Sequence, residues 1–317
     1  MTDLVTFGDA VLRLSPGSDT PLEAADEFAV HVGGPESNVA VAASALGLET
    51  AWLSRLPKTP LGRRVVRELR SHGVRTGVVW TVDGRVGVRY RAAGGSPRNT
   101  TTVPDREGAA TTEATAAALP LEAVRAAETF YVSGVTPALS ETLTETTATV
   151  LETAVEAGTE TAFDLRYDDQ FWSAEEARTC YDSLLSDVDV LFCSEGELEE
   201  IFGHDGGVVP AGHSVRTTYD LETVVVRRER RGPVGLHGDE IYERPAYDAT
   251  TVDASGARSA FVGSFLAERG RGNGMADALA YGAAAAALKR TIEGEALVAS
   301  RADVTAVVES GEPAETE

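Results

Sequence analysis

Short apolar runs rich in β-branched and aromatic residues alternate with helix-like stretches along nearly the whole chain. Strand length and character are found at Leu4–Phe7, Thr50–Leu53, Thr129–Ser133, Thr161–Leu165, Val188–Cys193 and Thr223–Arg227. Between them the apolar spacing changes to the helical period. Ser37–Leu46 predicts a helix that Gly47 is placed to end. In Ser140–Ala157, Leu143, Val150, Leu151, Ala154 and Val155 share one face, and Gly158 follows. Met275–Arg290 is Ala-rich and predicts a helix packed close to its neighbours. Repeated β-α-β alternation predicts an α/β fold, a mostly parallel sheet covered by helices on both faces.

Two regions break the rhythm. Val78–Tyr90 predicts a hairpin around Asp83-Gly84, and Val11–Val32 holds short extended pieces with no helix. These segments predict a small β-lid inserted at about residues 11–32 and 76–106, with Trp80 and Tyr90 on it. His204–Tyr219 is rich in Gly, Pro, His and Thr and predicts an irregular loop where a crossover helix would ordinarily stand. One domain is expected over residues 1–308, followed by a frayed acidic tail at 309–317.

Charge changes the picture more than composition does. The formal net charge is −22, and of 28 basic residues only Lys58 and Lys289 are lysines. An acidic, Lys-poor surface is expected of a protein that works in concentrated salt, where screening quenches self-repulsion. It also excludes a nucleic-acid partner, which would need clustered Lys and Arg. No apolar run is long enough to span a bilayer, so no membrane partner is expected. The strand-like start at Leu4, without a basic leader, predicts a cytoplasmic protein. Two cysteines, Cys180 and Cys193, argue against a disulfide framework.

Candidate chemistry gathers at two glycine-containing turns. Gly33-Gly34-Pro35-Glu36-Ser37-Asn38 runs into a helix start, where paired glycines permit close backbone approach and helix N–H groups face outward. Near the C-terminus stands Asp253-Ala254-Ser255-Gly256-Ala257-Arg258-Ser259-Ala260-Phe261. It resembles the D-x-x-G-A-G-D-A-F signature of the ribokinase-like (PfkB) carbohydrate kinases. Within that family the chain is most similar to the 2-keto-3-deoxygluconate kinases. Ser133-Gly134-Val135-Thr136-Pro137-Ala138-Leu139-Ser140 and Asp164-Leu165-Arg166-Tyr167, followed by Phe171-Trp172-Ser173, carry that likeness.

The resemblance implies a Rossmann-like domain with a β-lid that transfers the γ-phosphoryl of ATP, with Mg²⁺, to a sugar-acid hydroxyl. It further implies homodimerisation through the lid. By the same resemblance Gly34, Tyr90 and Arg106 would touch substrate, and Ser194 and Glu197 would help organise Mg²⁺ and phosphate. Arg227 would lie at the nucleotide turn, and Gly256 and Ala257 would form the anion turn. The departures are as informative. Pro104 replaces a tyrosine before Arg106, and Asp168 stands where an arginine would hold the substrate carboxylate. Glu229 takes a Gly position at the nucleotide turn. Arg258 replaces the second Gly of the signature, and Ser259 replaces its final Asp, the general base.

A serine hydroxyl cannot act as that base at neutral pH. Arg258 could hold an anion permanently or turn out to solvent. Two functions follow: a sugar-acid kinase with impaired activity, or a non-catalytic paralogue that binds a ligand or a kinase subunit.

Overall fold

The computed structural model describes residues 2–17, 20–95, 97–204 and 206–314. The chain opens with β1 (Thr2–Phe7), then β2 (Val11–Ser15) and β3 (Ala29–Gly33), followed by α1 (Pro35–Ala45), β4 (Thr50–Pro57), α2 (Pro60–Ser71) and β5 (Arg75–Thr81). Next come β6 (Val88–Ala92), β7 (Thr101–Asp105), the one-turn α3 (Glu122–Arg125), β8 (Ala127–Ser133) and a second single turn, α4 (Val135–Ala138). The middle holds α5 (Glu141–Ala157), β9 (Glu160–Asp164), α6 (Ala174–Leu184), β10 (Val190–Ser194), α7 (Glu195–Phe202), α8 (Val208–Thr218) and β11 (Thr223–Arg227). The chain closes with β12 (Val234–His237), β13 (Glu240–Glu243), α9 (Ala257–Gly270), α10 (Met275–Arg290) and α11 (Arg301–Ser310).

Nine strands form the large sheet in the order β13-β12-β11-β10-β9-β8-β1-β4-β5. Its pairings from β5 to β11 are parallel, and β12 and β13 add an antiparallel edge. Period-two alternation sends its side chains into two apolar layers. Along β8, Phe130 and Val132 join the layer under α5, while Tyr131 joins the layer under α9 and α10. The α/β architecture is therefore the one the sequence predicts. Ser140 and Gly158 also bracket α5 as expected: the Ser140 hydroxyl accepts from the Leu143 N–H at 3.1 Å, and Gly158 closes the helix at φ 74°.

The lid is a separate four-stranded sheet, β3-β2-β6-β7. Three expectations are corrected here. Val78–Tyr90 is not a hairpin, because Arg75–Thr81 continues the large sheet beside β4, with Trp80 paired to Leu56 and 41% exposed. The hairpin lies one step later, where β6 and β7 pair antiparallel from Ala92 with Thr101. His204–Tyr219 is not a loop but contains α8, whose Val208, Ala211, Gly212 and Val215 are buried at helical spacing. Pro210 is tolerated because it sits in the first turn. The tail is tied down further than expected: α11 runs to Ser310, and Asp248 N–H donates to the Glu312 carbonyl at 3.0 Å. Residues 315–317 lie outside the described residues.

Buried charge fastens the lid to the large domain. Arg13 of β2, 2% exposed, pairs with Asp253 at 2.7 Å and Glu295 at 3.3 Å, and Arg89 of β6 also pairs with Glu295. Burial alone would raise the Asp253 carboxyl, but the Arg13 guanidinium holds it at about 2.

Candidate active site

The lid roofs a cavity of about 320 Å³ at the C-terminal ends of the parallel strands. Ligands gather at that end of an α/β sheet. Along β6, Arg89 and Arg91 face this cavity. Tyr90, one residue out of step, turns to the other face and packs edge-on against Phe28 with centroids 6.0 Å apart. Tyr90, which the resemblance would put against substrate, does not line this cavity; its two arginine neighbours do.

Gly34 and Gly256 both line the cavity, and each is a place where backbone meets backbone. A Cβ on Gly34 would lie 2.1 Å from the Asp9 carbonyl oxygen. On Gly256, at φ 80°, it would lie 2.0 Å from the Glu295 carbonyl oxygen. Behind Gly34 the α1 start is anchored by Glu36, fully buried, whose Oε1 accepts from the Ser133 N–H and the Ser133 and Thr136 hydroxyls. Burial pushes that carboxyl up.

Arg106 sits in the cavity wall, 8% exposed, with Asp9 3.4 Å from its Nε and the Phe171 ring 5.0 Å below. Its Nε and Nη1 make no hydrogen bond, nor does either Asp9 carboxylate oxygen. Asp168 also lines the cavity, and its Oδ1 accepts from the Gln170 N–H at 3.0 Å. Asp168, standing where the resemblance would put an arginine, does not set the charge of the cavity alone. Arg89, Arg91, Arg106, Arg166 and Arg258 line the same space against Asp168 and Glu295.

At the start of α9 the signature residues form a closed charge cluster. The Arg258 Nε donates to both Asp164 oxygens at 3.0 Å, and its Nη1 and Nη2 donate to Glu197 Oε1 and Oε2 at 2.8 Å each. Of the two readings open to Arg258, the inward one holds, and the anions are the protein's own. Glu197 is further saturated by the Tyr167 N–H at 3.0 Å and the Ser194 N–H at 2.7 Å, the latter within a capping box opening α7. Burial would raise Glu197, but Arg258 holds it at about 2. Ser259, fully buried, accepts from Arg166 Nη1 at 2.9 Å and donates to the Pro35 carbonyl at 3.3 Å. Arg166 reaches it from a left-handed backbone, φ 43°, at the end of β9.

On the other side of the turn lies a second cleft of about 390 Å³. Ala257, Phe261, Ala283, Ala286 and Ala287 give it an apolar wall, and Arg227, Arg228, Arg230 and Arg290 ring it. The Nε atoms of Arg227 and Arg290 are buried without partners. Burial, and then the Arg258 charge, lower Arg227 to about 10. Glu229 opens the turn after β11, and its side chain lies outside the described residues.

The family model for pfkB carbohydrate kinases matches residues 1–300. The chain belongs to the pfkB family of carbohydrate kinases. Among its relatives, the 2-dehydro-3-deoxygalactonokinase of Haloferax volcanii is 46% identical over 98% of both chains. The solved 2-dehydro-3-deoxygluconokinase of Thermotoga maritima superposes with a TM-score of 0.90 at 28% identity, covering 98% of each chain. An Escherichia coli protein provisionally assigned as ribokinase II, solved in complex with ATP and Mg²⁺, shares the fold at a TM-score of 0.89 and 17% identity, covering 98% of this chain and 99% of its own.

Relative to the family signature, this structure brings Gly34, Arg106, Asp168, Gly256 and Arg258 into one cavity. Ser194, Glu197 and Ser259 stand just behind it, and Arg227 and Ala257 face the second cleft. Sequence reasoning missed Arg89, Arg91, Asp9 and Glu295, and it took Asp164 and Arg166 only as parts of a motif. The R-x-R spacing in β6 was a usable signal, since residues two apart in a strand share a face. Asp9 and Glu295 carry no local signal.

Proposed function

We propose that this carbohydrate kinase takes a sugar acid of the 2-keto-3-deoxy type under its lid and a nucleotide in the adjacent cleft. We propose too that it transfers phosphoryl far more slowly than relatives with a carboxylate at position 259. The sugar-acid part is supported by the likeness to the Haloferax and Thermotoga enzymes. It is supported as well by Arg106, buried with donor capacity to spare. The nucleotide part is supported by the second cleft, whose apolar slot and arginine rim suit a flat base carrying phosphates.

The observation that carries slow transfer is Ser259: a hydroxyl stands at the general-base position, bonded to Arg166 and the Pro35 carbonyl. General-base catalysis is worth about 10²–10⁴ in rate. Positioning and electrostatics, which dominate phosphoryl transfer, would leave a residual activity. A second reading, a non-catalytic paralogue that binds a ligand or a kinase subunit, is favoured by the Arg258 cluster, which consumes both nearby carboxylates.

The experiment is an ADP-release assay in concentrated KCl with 2-keto-3-deoxygluconate and 2-keto-3-deoxygalactonate, run beside a thermal-shift titration of each. Stabilisation by a sugar acid with slow ADP release is the expected result. Stabilisation with no ADP release favours the paralogue, and turnover near the enzyme median of about 10 s⁻¹ removes the slow-transfer proposal. A lid-to-lid homodimer belongs to the same proposal, and a monomer in sedimentation would remove it.

A further inference from the structure

Kinases of this family use ATP with Mg²⁺. The donor set behind the anion turn does not fit such an ion. Mg²⁺ wants oxygen ligands at about 2.0–2.1 Å in an octahedron, drawn from one or two carboxylates, water and phosphate. The carboxylates at hand are Asp164 and Glu197, and their lone pairs are spent. Glu197 accepts from Arg258 on both oxygens and from two backbone N–H groups, and Asp164 accepts from Arg258 on both oxygens. The local charge is also of the wrong sign. Arg166 lies 3.8 Å from Asp164, and buried Arg227 feels the same cluster, so three guanidiniums face two carboxylates. Among the described residues no group of three His, Cys, Asp or Glu side chains could hold a metal ion.

We infer that this chain binds its nucleotide without a divalent cation, Arg258 supplying in permanent form the positive charge that Mg²⁺ supplies elsewhere in the family. The inference rests on the reading of the second cleft as a nucleotide site. Arg258 has little donor capacity left for a ligand. Its part is to neutralise Asp164 and Glu197, so that phosphate oxygens meet guanidinium and helix N–H groups and no bare carboxylate. The phosphates themselves would be met by Arg227 and Arg290, whose Nε atoms are buried and free of partners at the cleft. The N-terminus of the 14-residue α9 adds its partial positive charge at the same turn.

The test is calorimetric titration of ATP and ADP into the full chain in molar KCl, first with EDTA and then with excess Mg²⁺. Both nucleotides are expected to bind in EDTA, with Mg²⁺ changing the dissociation constant by less than about twofold. Tightening by Mg²⁺ of about tenfold or more overturns the inference and leaves the nucleotide site standing. No binding in either condition overturns both. Arg258→Gly frees the two carboxylates and should make binding Mg²⁺-dependent by about tenfold, whereas Arg258→Lys should stay indifferent to the metal. Because the glycine variant also removes a buried counter-charge, Mn²⁺ titration of the unaltered chain by paramagnetic resonance gives a second readout that does not depend on its folding. No stoichiometric site is expected, and one that vanishes in Glu197→Gln would sink the inference.

Discussion

Arg106 and Arg258 stand in the wall of one cavity, yet they are opposites. Arg106 faces a single carboxylate at 3.4 Å and leaves two nitrogens unbonded, although it is 8% exposed. Arg258 divides its donors between Asp164 and Glu197 at 2.8 to 3.0 Å. An unmet buried donor is costly and persists where a ligand will meet it, whereas a met one belongs to the architecture. The first arginine is therefore the one we propose reads something from outside. The second holds the protein's own charges together.

The sharpest way to break this contrast is to convert the second arginine's region into the family pattern. Arg258→Gly with Ser259→Asp, assayed with Mg²⁺, should raise phosphoryl transfer by about 10²–10⁴ in an ADP-release assay. Ser259→Asp alone should recover little, because Arg258 would still hold Glu197 and Asp164. Brisk turnover from that single change would mean the Arg258 cluster is no obstacle.

Next in size is stability. Arg258→Ala strips two buried carboxylates of their hydrogen-bonded guanidinium and should cost about 3–5 kcal/mol in denaturant unfolding. Arg106→Met should instead weaken sugar-acid binding by about tenfold to a hundredfold, the worth of a charged hydrogen bond, by calorimetry. If the two variants exchanged these signatures, the assignment of one arginine to ligand and the other to fold would fail.

The last expected effect is with pH. Glu197 and Asp253 are held at about 2, below ordinary values of 4.5 and 3.8. The stabilisation from a depressed carboxyl is present above its unfolded value and lost as protons bind. The stabilisation these two carboxyls contribute should therefore be constant above about pH 5 and be lost between about pH 5 and pH 2, more gently in Arg258→Ala.

The architecture was legible because strand runs and helical spacing announce themselves locally. Even α8 was written in the chain: Val208, Ala211, Gly212 and Val215 have helical spacing, but Pro210, Gly212, His213 and Thr217 obscured it. Ser194 and Glu197 were visible through the family resemblance, and so were the degenerate positions Arg258 and Ser259. What could not be read was partnership. Asp164 meets Arg258 and Asp9 meets Arg106 only because the fold brings together segments about a hundred residues apart. One sequence shows a charge change at a motif, not the counter-charge waiting across the fold. The same gap hid that Asp168 shares its cavity with the R-x-R of β6.

The fastening of the lid carries its own consequence. Arg13 and Arg89 reach down from the roof to Asp253 and Glu295, and those two carboxylates belong to segments that also brace the turn at Gly256. Roof and turn are thus hinged on shared ions. Any swing wide enough to admit a solute must expose charges that burial had kept apart from water, and it must loosen the floor as it lifts the ceiling. Concentrated salt would screen those exposed ions, so added salt is expected to ease such an opening.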